Sequence, residues 1–76
     1  MNPVQTNPIQ IVLNGEPRQV PGRLNIEQLL RFLEMDAGRV AVELNRCIVR
    51  KPDWALTEIS EGALLEIVWF VGGGSA

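Results

Sequence analysis

Apolar positions along the chain change period several times, and each change marks an element. In "IQIVL", Ile9, Ile11 and Leu13 alternate with other residues, as expected of a half-buried strand. Asn14-Gly15 follows, the dipeptide that most readily takes the positive φ angles of a tight hairpin. "RQV" at 18–20 is then the returning strand, closed by Pro21-Gly22. The period next becomes helical. Asn25 is a good N-cap, Gln28 completes a capping box, and Ile26, Leu29, Leu30 and Leu33 share one face. Glu27 suits the first turn of this helix of about ten residues, and Gly38 is its expected stop.

Alternation resumes in "VAVEL", where Val40, Val42 and Leu44 are expected inward. "NR" is a turn, "CIV" a short strand, and "RKPDWALTEISEG" a longer irregular connection. "ALLEIVWFV" is the strongest strand, with Leu65, Ile67 and Trp69 on one face and Leu64, Glu66, Val68 and Phe70 on the other. There are no internal repeats. The order strand, strand, helix, strand, short strand, strand predicts an α+β architecture, a mixed sheet curled round one helix. Residues 1–8 read as a flexible N-terminal tail, 9–71 as the domain, and 72–76 as a flexible glycine-rich C-terminal tail.

Composition narrows the function. Seventy-six residues make one small domain, which buries only about 60% of the surface of its unfolded chain. A net charge of −2 gives no electrostatic footprint for nucleic acid. No apolar run approaches the roughly 20 residues of a membrane span, and no basic start leads into an apolar stretch as in a secretory signal. Cys47 stands alone, so a reducing, cytoplasmic setting is expected. Without histidine or tyrosine, His/Cys metal clusters, Ser-His-Asp triads and Cys-His pairs are excluded, and no phosphate-binding glycine motif is present. A self-sufficient enzyme, a metal site and a bound cofactor are not expected.

The end of the chain raises the sharper question. Gly72, Gly73 and Gly74 directly abut an apolar strand, and only Ser75-Ala76 follow. One reading is a frayed terminus or a remnant of cloning. The other is mechanical: three glycines have no Cβ to strike the walls of a narrow channel, and they reach at most about 10 Å. That would carry a terminal carboxylate from the domain into a partner's active site.

"LNGEP", "VAVELN", the "W…L" and "EG" positions of the long connection and "LEIV" with "FVGGG" occur in an order that resembles the sulfur carrier proteins of thiamine biosynthesis, the ThiS family. The resemblance covers Ile9 to Gly74 and implies the ubiquitin-like β-grasp fold. It further implies that the terminal glycine carboxylate is adenylated by an ATP-using enzyme of the ubiquitin-activating type. The adenylate then becomes a thiocarboxylate, and thiazole synthase receives the sulfur. The carrier itself binds no cofactor, since the partner uses the ATP. Mature carriers end at glycine, so either Ser75-Ala76 are removed before Gly74 can react, or they are a cloning remnant; Gly73 is the alternative terminus.

Val68 and Phe70, beside the tail, are expected as exposed apolar residues that dock the activating enzyme. Cys47 is expected as a half-buried structural thiol. Arg46, Arg50 and Lys51 form a small basic cluster of solvated surface, and Trp54 covers one end of the core. Three other functions remain open: a carrier for molybdopterin or cysteine synthesis, a ubiquitin-like protein modifier, and a binding module whose tail is irrelevant.

Overall fold

A computed structural model describes residues 7–70. Five strands form one mixed sheet: β1 (Ile9–Leu13), β2 (Glu16–Val20), β3 (Val40–Leu44), β4 (Cys47–Val49) and β5 (Leu64–Trp69). Their spatial order is β2-β1-β5-β3-β4. β5 lies in the middle, parallel to β1 and antiparallel to β3. The helix α1 (Ile26–Phe32) covers one face. This is the β-grasp arrangement.

The core follows from the alternation. Ile11 and Leu13 of β1, Val40 and Val42 of β3, and Leu65 and Ile67 of β5 are buried with Ile26, Leu29 and Leu30 of the helix. The connection after β4 is less irregular than its sequence suggests. Lys51–Leu56 form 3₁₀ turns that bring Trp54 into the core at 2% exposure. Its indole Nε1 donates to the Val49 carbonyl at 2.8 Å, so the ring is buried with its polar atom satisfied. Trp54 therefore closes one end of the core as expected.

The helix starts where predicted. Gln28 N–H donates to Asn25 Oδ1 at 2.8 Å, and Asn25 N–H donates to Gln28 Oε1 at 2.9 Å, a complete capping box. Its end is different: the helix has seven residues and does not stop at Gly38. Glu34 takes the left-handed position at φ +61, its N–H donating to Arg31 O and the Met35 N–H to Leu30 O. These two bonds make a Schellman motif, with Leu30 and Met35 packing into the core beside it. Gly38 sits instead in a short 3₁₀ turn capped by Asp36.

Trp69 is a second correction. It lies on the same side of β5 as Leu65 and Ile67 but is 47% exposed. A seven-residue helix spans about 10 Å, whereas six strand residues span about 20 Å. The strand outruns its cover. Cys47 is a third, being exposed on the edge strand β4.

Candidate functional site

Each face of β5 serves a different purpose. The face toward α1 makes the core. The opposite face is open, and the side chains that alternate onto it are Leu64, Glu66, Val68 and, beyond the strand, Phe70. Val68 is 59% exposed and Phe70 60%, so both residues expected beside the tail are on the surface. Ile48 of β4, at 74% exposure, extends this apolar surface sideways. Val12, Ala41, Ile48, Leu64 and Val68 surround a shallow hollow into which Glu43, Glu66 and Arg46 also reach. The sequence pattern located the β5 part of this surface. It missed Ile48, because "CIV" is too short for alternation to reveal which face is open.

The strand that carries the C-terminal segment is held along its length. Asn14 N–H donates to Leu65 O at 2.8 Å, and its side-chain Oδ1 accepts from Ile67 N–H at 2.7 Å. The Asn14 Nδ2 donates back to Ile67 O at 3.3 Å, so this amide prolongs the β1–β5 ladder past the end of β1. On the other side, Asn45 N–H donates to Leu64 O at 2.7 Å, and Asn45 Oδ1 accepts from Leu64 N–H at 3.0 Å. The last anchor is at Phe70, whose N–H donates to Arg39 O at 2.8 Å. Backbone pairing thus continues up to the final described residue. Gly72, Gly73 and Gly74, the expected reactive segment, lie outside the described residues, as do Ser75 and Ala76.

The basic residues do not form one cluster on the open face. Arg46 borders the hollow, whereas Arg50 and Lys51 border a groove with Trp54 and Phe70, and the Lys51 ammonium lies 5.8 Å from the Trp54 ring centroid. Among the described residues, no group of three or more His, Cys, Asp or Glu side chains could hold a metal. Among the described residues, no helix is long and apolar enough to cross a membrane.

Comparison with known proteins agrees with this geometry. The crystal structure of the thiamine biosynthesis protein ThiS from Geobacter metallireducens superposes with a TM-score of 0.77 at 32% identity, covering 87% of this chain and 100% of that one. A thiazole synthase of Paramagnetospirillum magneticum is 43% identical over 67 residues, which are 88% of this chain and 21% of that protein. A thiazole synthase of Magnetococcus marinus is 35% identical over 66 residues, 87% of this chain and 20% of that one. The chain thus spans about a fifth of the length of these two relatives. An uncharacterized protein, ycf40, of Pyropia yezoensis is 35% identical over 66 residues, 93% of its length. The family model of ThiS matches residues 11–74, from the first core strand to the last glycine. The chain belongs to the ThiS family.

Proposed function

We propose that this protein is the sulfur carrier for thiazole formation in thiamine biosynthesis and that its reactive atom is the carboxyl carbon of Gly74. The observation that carries this reading is the family match, which runs through residue 74 and so takes in the glycine run. The firm pairing of β5 up to Phe70 supports it, because a substrate borne on a protein's own end needs a fixed base.

The chemistry follows from what a carboxylate lacks. Its carbonyl carbon is a poor electrophile and has no good leaving group. Attack of a carboxylate oxygen on the α-phosphorus of ATP, with departure of pyrophosphate, gives an acyl-adenylate. A hydrosulfide-type nucleophile then attacks the carbonyl carbon, AMP leaves, and a thiocarboxylate remains. The adenylating enzyme supplies these catalytic groups in the cytoplasm, and thiazole synthase accepts the sulfur. While Ser75-Ala76 are attached, the Gly74 carbonyl is an amide and offers no oxygen to adenylate. Hydrolysis of the Gly74–Ser75 bond must come first. Gly73 is the alternative terminus, should trimming proceed one residue further.

The test is direct. The chain ending at Gly74, mixed with ATP and its cognate adenylating enzyme, is expected to form acyl-adenylate, read as pyrophosphate exchange; the 76-residue chain is expected to form none. Equal exchange from both, or from neither, defeats the reading. Val68 and Phe70 are the docking residues in this scheme. Phe70→Asp should weaken binding to the adenylating enzyme about tenfold while leaving the fold intact, because an exposed aromatic anchor is lost and a charge is placed in its contact.

A further inference from the structure

Two glutamates sit where a sheet ordinarily avoids them. Glu43 of β3 and Glu66 of β5 are directly opposite each other in the antiparallel register, on the open face. Like charges in that relation repel, and the pairing is unfavourable for the free protein. Apolar side chains surround them: Ile48, Leu64 and Val68 are exposed, and Val12 and Ala41 are half-buried. Arg46 reaches the same hollow, yet among the described residues the ion pair formed is Arg39–Asp36, elsewhere on the surface. One guanidinium against two carboxylates in any case leaves the hollow negative.

We infer that this open face is the seat of thiazole synthase, which fills it with a cationic side chain set between Glu43 and Glu66 inside a ring of apolar contacts. Covering the apolar ring necessarily takes water from both carboxylates, and stripping a charge of water without a partner is costly. A surface that covers this face must therefore bring positive charge. A second copy meeting it face to face would bring another pair of glutamates, so charge disfavours self-association through it. The choice of synthase has its own support. In the two thiazole synthases above, a stretch resembling this chain is part of the same polypeptide as the rest of the enzyme, which holds the two at high effective concentration. The inference rests on the carrier reading, and it adds which surface and which charge select the acceptor.

The experiment titrates the chain ending at Gly74, and its Glu43→Gln/Glu66→Gln variant, against separately purified thiazole synthase from the same organism. The variant is expected to bind about tenfold more weakly, as when one side of a close charge pair is removed. Its Kd should also depend less steeply on salt. Its Tm should not fall, since the repulsion is gone; that separates lost recognition from lost folding. Glu66→Lys alone should weaken binding more, because it repels the incoming cation.

Unchanged synthase affinity in these variants overturns the inference, and so does a loss confined to the adenylating enzyme. It is equally overturned if the variant changes self-association rather than synthase binding. Adenylation of the wild-type chain is scored in parallel. An adenylated chain whose synthase affinity ignores the glutamates removes only the inference; a chain that is never adenylated removes the carrier reading and the inference with it.

Discussion

The two hairpins of the sheet have the same plan and different ends. In each, a Leu-Asn pair enters a two-residue turn: Leu13 faces Glu16 across the first, and Leu44 faces Cys47 across the second. Asn14 and Asn45 both have φ +50, and both lend a side-chain oxygen to β5. The second turn residue differs. Gly15 at φ +84 accepts the left-handed conformation at no steric cost, whereas Arg46 holds φ +73 with a full side chain. The edges differ as well. β2 carries Glu16, Pro17, Arg18 and Gln19 outward, with a proline that spoils edge pairing, while β4 exposes Ile48. One hairpin is chosen for folding. The other tolerates strain and exposed apolar surface, and it is the one that borders the hollow on the open face.

The largest effect that can test this contrast is at the asparagines. Asn14→Ala removes both side-chain bonds to Ile67 in a part-buried setting and puts alanine at a positive φ. About 3 kcal/mol is expected, from an unsatisfied N–H and the left-handed penalty together. Asn45→Ala carries the same left-handed penalty but loses an exposed bond that water can replace, so only about 1.5 kcal/mol is expected. Urea denaturation of both variants measures the gap. Equal losses would mean that the two clamps are equivalent and that the contrast between the hairpins ends at their second turn residue.

How much of this was visible in the chain depends on whether a feature is local. The first turn was legible because Asn-Gly is a local signal, and the helix start because a capping box lies within four residues. The helix end was misplaced because Glu34 fills a position where glycine is the usual sign. Trp69 was misjudged because alternation reports the side of a strand, not how far its cover extends. Val68 and Phe70 were found from periodicity. Ile48 was not, because β4 is too short for alternation to show which of its faces is open, and the opposition of Glu43 to Glu66 was not, because it depends on register between strands far apart in sequence.

A smaller effect concerns the second turn residues, which should respond in opposite directions. Arg46→Gly relieves a left-handed non-glycine residue and should stabilise the fold by roughly 0.5–1 kcal/mol, after the entropy glycine gives back. Gly15→Ala should destabilise by about 1 kcal/mol, although open space surrounds the new Cβ, because the strain is in the backbone. Thermal unfolding should show shifts of about 4–8 °C per kcal/mol, of opposite sign. If Arg46→Gly lowers Tm instead, the arginine is held by contacts that outweigh its strain, and the second hairpin is as well fitted for folding as the first.

The smallest effect separates the two neighbours of β5 on the open face. Toward β1, Leu64 is paired with Val12, an apolar match; toward β3, Glu66 is paired with Glu43. Glu43→Gln keeps the shape and removes the repulsion, so stability should rise by roughly 0.2–1 kcal/mol. The gain should shrink as salt is raised, because screening weakens the repulsion already in the parent chain. Val12→Gln is the matched change on the β1 side and should give a loss that salt leaves unaltered. A Glu43→Gln gain that persists at high salt would trace to packing rather than charge. The half of the sheet beside β4 would then carry no electrostatic cost for a partner to relieve.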